Sequence, residues 1–253
     1  MKQFKNLVLA LALGGLGTAG AAQADPLRIG LEAAYPPFSA PSAQGGYVGF
    51  DVDIANALCK QMKAECVFVA QDWDGIIPAL MARKFDAIIS SMAVTPERAK
   101  QVDFTDHYYR TYLSVAVARD SSVQGLDAEV YKDKVVGAQS STTSGEYAED
   151  VYAKAGAEVR LYPTTDDAGS DLASGRLDAL VNDKYPLIEW MRKHSKDCCK
   201  LLGDLPGTQD DIAIAVRKGD DDLRTRFNQA IQDIRADGSY QRISQRYFGI
   251  DIY

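Results

Sequence analysis

Two stretches far apart in this chain repeat one pattern. ALMARKFDAIISS (79–91) and DLASGRLDALVND (171–183) align position for position around a shared Asp-Ala step, so that Ser90 and Ser91 fall opposite Asn182 and Asp183. Around the first copy run LRIGL, GFDVDIANALCKQM, CVFVA, GIIPALMARK, FDAIISS and TPERAKQV; around the second run KVVGAQ, EYAEDVYAKAG, VRLYP, DAGSDLASGR and LDALVND. Short apolar runs alternating with helix-period stretches predict an open α/β sheet with helices on its faces, built twice. Ligands of such sheets lie beyond the carboxyl ends of the strands, where both polar pairs stand. Two lobes facing each other would place the pairs across one cleft.

The ends of the chain refine that picture. MKQFKNLVLALALGGLGTAGAAQA has two lysines, an apolar run and a small-residue A-x-A finish at Ala24, the layout of a secretory leader. That run is shorter than the about 20 residues a membrane span needs. A free exported chain starting at Asp25 is expected, with no cysteine at the cut to take a lipid. Losing Lys2 and Lys5 leaves 26 basic residues against 35 acidic ones, a net charge of −9, which makes nucleic acid and anionic membranes poor partners.

Four cysteines in an exported chain suggest disulfides, with Cys59 and Cys66 the favoured pair. An unbroken helix would hold their Cα atoms roughly 10 Å apart, beyond bridging range, so the helix must end near Lys63. For the adjacent Cys198 and Cys199, a vicinal ring, free thiols and intermolecular bonds stay open. YYRTYLSVAVARD reads as an extended exit from the first lobe and DDIAIAVRKGD as a return strand, two crossings that make a hinge. DDLRTRFNQAIQDIRADGSYQRISQRYFG is helical in period with a break at Gly238 and is expected to pack back on the first lobe. The expected division is a leader over 1–24, a first lobe over 25–111, a second over 112–208 and a return segment over 209–253.

SSMAVTPER poses a chemical question. Thr95 caps a helix with Pro96 at its first position, so Arg98 falls in the first turn, where N–H groups and the helix dipole favour an anion. Arg98 belongs there if an anionic ligand comes to sit beside it; otherwise it is a surface arginine pairing with Glu97 or Asp103.

GFDVDIANALCKQM, DWDGIIPALMARKFDAIISSMAVTPERA and DGSYQRISQRYFG closely resemble the amino-acid-binding members of the periplasmic solute-binding proteins of ABC importers. The likeness covers essentially the whole mature chain and is nearest to lysine/arginine/ornithine and histidine binders. It implies a two-lobed type II fold, each lobe an open mixed sheet flanked by helices and joined by a two-segment hinge. It implies a periplasmic monomer that passes its ligand to an inner-membrane permease, without cofactor or metal, and its relatives carry a cysteine pair matching Cys59 and Cys66. Arg98 then matches the residue gripping the ligand α-carboxylate, Thr143 a second-lobe donor to it, and Asp183 the acceptor for the α-ammonium. Asp183 could instead cap the helix suggested by KYPLIEWMRK. Ser90, Ser91 and Ala93 line the same strand end, Tyr35 and Trp73 match aromatics that sandwich the ligand side chain, and Glu32 matches an acid that reaches its far cation.

Counting Glu32 and Asp183 against Arg98 gives the pocket one excess negative charge, so a ligand with two cations and one carboxylate, such as arginine, lysine or ornithine, pairs every buried charge. Three positions depart from the relatives: Ala93 lacks a usual hydroxyl, Ser141 takes a common glycine position, and Ser144 replaces a frequent glutamine. These would also suit an opine, a basic amino acid modified at its α-amino group; histidine is a separate alternative ligand. A rival class is a cyclohexadienyl or arogenate dehydratase on the same scaffold, but dehydration needs a positioned acid or base. His107 and His194, the two histidines, read as structural or surface residues, and Glu32 would repel a prephenate-like dianion. The chain is therefore expected not to be an enzyme. A receptor's sensor domain is disfavoured because no membrane helix or signalling domain follows.

Overall fold

The computed structural model describes residues 26–194 and 198–253; the expected leader lies outside them. The first series forms strands β1 (Leu27–Leu31), β2 (Ala40–Pro41), β3 (Tyr47–Val48), β4 (Cys66–Ala70) and β5 (Ala87–Ile88), with helices α1 (Phe50–Gln61), α2 (Ile76–Met81) and α3 (Pro96–Ala99). β6 (Val102–Ala118) leads to the second series: β7 (Val135–Gln139), α4 (Thr143–Tyr147) running into a π-helical turn at Ala148–Ala153, β8 (Glu158–Tyr162), α5 (Thr165–Ala173), β9 (Ala179–Asp183) and α6 (Lys184–His194). β10 (Cys199–Arg217), α7 (Asp221–Ala236) and α8 (Ser239–Phe248) complete the chain.

Eight strands form one mixed sheet in the order β4-β1-β5-β10-β6-β9-β7-β8, while β2 and β3 pair with each other in a separate antiparallel ribbon. β1 lies parallel between β4 and β5, and β7 lies parallel between β8 and β9, so the repeat in sequence is a repeat in topology. Between the triplets run the long antiparallel β6 and β10. Their ladder breaks midway: Asp204 pairs with Ser114 but Gln209 with Tyr112, leaving 205–208 looped out, and Leu113 N–H turns to the Thr208 hydroxyl at 3.1 Å.

Separate apolar cores lie on the two sides of that break. Ile29, Phe38, Phe50, Tyr109 and Phe227 belong to one, Val115, Tyr131, Val136, Tyr152 and Val181 to another. Apolar side chains can leave water only by packing in contiguous clusters, so two such clusters make two lobes. The terminal helices seat Phe227, Ile231, Ile234 and Tyr240 in the first core, after a break at Gly238, whose φ of 74° is left-handed. No helix among the described residues is long and apolar enough to cross a membrane.

α1 stops at Gln61 and Lys63 takes a left-handed φ of 53°, turning the chain so that Cys59 and Cys66 are bonded with Cα atoms 6.1 Å apart. Cys198 and Cys199 are bonded to each other and so close no loop. Because a disulfide stabilises chiefly by restricting the unfolded loop, Cys59→Ser with Cys66→Ser should cost about 2–3 kcal/mol in urea unfolding, whereas Cys198→Ser with Cys199→Ser should cost nothing by this route.

Candidate functional site

The carboxyl ends of the inner strands converge on one narrow cavity with only about 20 Å³ of free space, so the lobes are shut tightly here and must part to admit a small molecule. Glu32 follows β1, Ser90 and Ser91 follow β5, Gln139 ends β7 and Asp183 ends β9. Tyr35, Trp73, Ala93, Arg98, Thr142 and Thr143 complete the wall, so all nine sequence-selected binding positions meet here.

Arg98 is 8 % exposed, and neither suggested surface partner holds it: Glu97 pairs with Lys100 and Asp103 with Lys218. Its guanidinium donates to the Ala93 carbonyl at 2.9 Å and to the Ser141 carbonyl of the opposite lobe at 3.1 Å, and lies 5.2 Å from the Trp73 ring centre. Burial lowers its pKa from the ordinary value, opposed by Glu146, Asp210 and Asp183. Thr95 caps α3 as read from sequence, accepting from Arg98 N–H at 3.2 Å. But α3 is one turn of four residues, so few peptide dipoles add up there, and the guanidinium itself makes this end of the cavity anion-seeking.

Ser141 has a left-handed φ of 57°, which explains why a glycine suits this position. That turn points its carbonyl at both Arg98 and the Trp73 indole N–H, the latter at 2.8 Å. Ser144 is buried and shares a 2.7 Å hydrogen bond with Thr142, whose side chain caps α4 by accepting from Gly145 N–H. Ala93 contributes its carbonyl rather than a hydroxyl.

The acids occupy other walls. Glu32 is 5 % exposed and accepts from Gln139 Nε2 of the second lobe at 2.8 Å; burial pushes its pKa up to about 7, with that hydrogen bond opposing. Asp183 Oδ2 accepts from the Tyr35 hydroxyl at 2.5 Å, while its Oδ1 is buried with no hydrogen-bond partner. Burial raises Asp183 to about 7 as well, Tyr35 and Arg98 pulling the other way. An orphan acceptor makes helix capping untenable and leaves a site for a donor. It also gives Tyr35 a polar task beyond aromatic packing.

A chain of bonds within the second lobe backs these contacts, and further bonds cross to the first. Gln139 Nε2 also donates to Pro163 O at 3.0 Å, the Thr165 hydroxyl donates to Gln139 Oε1, and Asn182 Nδ2 donates to Thr165. The Tyr35 hydroxyl lies 3.3 Å from Asn182 Oδ1 and Ser140 Oγ lies 3.1 Å from Asp74 Oδ1. The lobes are thus closed on each other, with a polar chain leading from Glu32 to Asp183.

Sequence reasoning missed Gln139, Thr142 and two further acids, Asp51 and Asp210. Gln139 was legible by the rule that singled out Ser90, since it too ends an inner strand. Asp51, 1 % exposed, accepts from Tyr108 at 2.8 Å and from Ser91 Oγ at 2.9 Å, and Ser91 sits at a left-handed φ of 51°. Asp51 therefore shapes the turn beneath the cavity, and burial raises its pKa to about 7. Asp210, raised by burial against Thr143 and Arg98, adds a further acid near Arg98. The count of one excess negative charge is thereby corrected: it holds for the groups facing the cavity but omits two acids just behind it. His107 lies against Tyr253 with ring centres 4.6 Å apart, remote from the cavity lining; the side chain of His194 is outside the described structure.

Residues 27–250 match the profile of bacterial extracellular solute-binding proteins, family 3, and the chain belongs to that family. It is 43% identical to an L-arginine-binding protein of Pseudomonas aeruginosa, over 98% of each chain. It is 37% identical to the lysine/arginine/ornithine-binding periplasmic protein of Escherichia coli, over 98% of this chain and 99% of that one. Among solved structures it superposes on an ancestral arginine-binding protein bound to arginine with a TM-score of 0.84, at 34% identity, covering 89% of this chain and 99% of that one. An ancestral amino acid-binding protein described as a precursor of cyclohexadienyl dehydratase gives a TM-score of 0.81 at 34% identity, covering 88% and 95%.

Proposed function

We propose that this protein captures a basic amino acid, arginine, lysine or ornithine, in the periplasm by closing its lobes around it, and hands it unaltered to an ABC permease. The observation that carries the reading is a buried guanidinium, Arg98, and two acids, the buried Glu32 and Asp183 with its buried Oδ1, lining one closed cavity. Arg98 would take the α-carboxylate as a bidentate pair, helped by Thr143. Asp183 would take the α-ammonium on its orphan Oδ1, and Glu32 the far cation. Tyr35 and Trp73 would flank the aliphatic stem, with Ser90, Ser91 and Ala93 as floor. The hinge falls where the β6/β10 ladder breaks, at 111/112 and 208/209, supported by the looped-out 205–208. The protein acts as a monomer, and its charge keeps nucleic acid away.

Capture without chemistry is supported by the binding-protein relatives, with the acids of the cavity wall, Glu32 and Asp183, assigned to ligand charges. A thermal-shift screen over the amino acids tests the assignment. Saturation at 100 times Kd adds about 2.7 kcal/mol, so basic amino acids should raise Tm by several degrees and glutamate should not. Mass spectrometry should recover arginine intact after long incubation, and a new product would move the protein to the dehydratase class.

The acids also predict a pH dependence. In the closed ligand-free form Glu32 and Asp183 keep their protons up to about pH 7, whereas paired with cations both must be ionised. Binding therefore expels protons below pH 7, and arginine affinity should fall as pH falls, by up to about tenfold per unit for each group. Glu32→Gln should remove one group's share of that slope and weaken arginine and lysine more than glutamine. Equal losses for all three by calorimetry would take Glu32 out of side-chain recognition.

A further inference from the structure

The two ends of the cavity are built differently. Around the Asp183 carboxylate it is tightly packed: the residue is partly exposed, but its Oδ1 is buried, Tyr35 is 7 % exposed with its hydroxyl on Asp183, and Asn182, 2 % exposed, backs them both. Asn182 is in turn held by Thr165, so neither side chain can swing aside without breaking the chain that joins the lobes. At the other end stands a second, outer groove of about 720 Å³, lined by Ala33, Ala34, Gln71, Asp72, Asp74 and Thr164 among others. Glu32 and Trp73 are walls of both spaces. Only Oε1 of Glu32 is engaged by Gln139, and its other oxygen is not among the buried orphan atoms.

We propose, resting on the assignment of Asp183 to the α-ammonium and Glu32 to the far cation, that the closed site accepts basic amino acids substituted on the terminal side-chain nitrogen and rejects those substituted on the α-nitrogen. A group on the α-nitrogen must enter the tightly packed end, where it would overlap Tyr35 or displace it from Asp183, leaving a buried acceptor and donor unpaired. A group on the terminal nitrogen passes beside Glu32 into the outer groove, where Gln71, Asp72 and Asp74 offer acceptors for a polar or cationic extension. The ligand class thus widens to terminally alkylated arginines and lysines, and opine-type ligands fall outside it.

The test is calorimetric titration of the full-length mature protein with four ligands: L-arginine, Nω-methyl-L-arginine, Nα-methyl-L-arginine and an arginine carrying a carboxyethyl group on its α-nitrogen. Expected are affinities for the first two within about tenfold of each other, and losses beyond 100-fold for the last two. Arginine binding with loss of the Nω-methyl compound, or retention of either α-substituted one, would overturn the proposal while leaving the basic-amino-acid assignment intact. Failure of arginine itself would overturn both. Ala33→Leu, which narrows the outer groove, should leave arginine unchanged and weaken a bulkier Nω-propyl-L-arginine at least tenfold; an unchanged Nω-propyl affinity would show that the substituent does not run through the groove.

Discussion

Arg98→Ala is expected to weaken arginine binding by about 3–5 kcal/mol, roughly 100- to 5000-fold, the cost of breaking a buried charge pair by removing one partner. The substitution also strips donors from the Ala93 and Ser141 carbonyls and leaves Trp73 without the cation it faces. Those losses would weaken closure for any ligand, so the charge pairing needs its own control. Decarboxylated arginine offers no carboxylate to Arg98, and its binding should change by far less than arginine's in the same variant. An equal loss for both compounds by calorimetry would reduce Arg98 to a lobe-to-lobe strut.

Asp183→Asn should cost arginine about 2–5 kcal/mol, as expected when one member of a buried, hydrogen-bonded charge pair is replaced. The amide that takes the carboxylate's place can still accept from Tyr35, so the closed geometry is retained while the charge is lost. Every α-amino acid carries the α-ammonium, so arginine, lysine and glutamine should lose similarly. That uniformity distinguishes Asp183 from Glu32, whose loss should fall on the basic side chains alone. A variant that harmed arginine but spared glutamine would exchange the two assignments.

What was legible in the sequence was local or repeated. Thr95 and Pro96 announced a helix start within four residues of Arg98, and the structure keeps that cap. The echo of 79–91 in 171–183 placed Ser90, Ser91, Asn182 and Asp183 at facing strand ends, and all four lie around the closed cavity or its backing. The terminal helices, broken at Gly238, pack on the first core as their period implied.

What was illegible depends on partners brought together by closure. Glu32 meets Gln139 across 107 positions and Tyr35 meets Asp183 across 148; no local pattern encodes either pair. Asp51 was not singled out because Tyr108 and Ser91, which justify its burial, stand far along the chain. Helix length was misjudged for a related reason: TPERAKQV has helical residues throughout, but β6 claims the chain from Val102, and sheet pairing outweighs propensity over so short a segment. Sequence thus pointed to three charged groups that the structure brings to one cavity, and missed Asp51, Asp210 and the neutral amides and hydroxyls around them.

The most direct test of the central claim, that one guanidinium and two acids around a closed cavity are matched to a dication with a carboxylate, is a calorimetric titration with L-arginine at pH 8 and again at pH 6. A single saturable site is expected, with Kd rising at the lower pH by roughly ten- to a hundredfold as protons leave Glu32 and Asp183. No saturable heat with arginine, lysine or ornithine, or a Kd for glutamate as low as theirs, would contradict it.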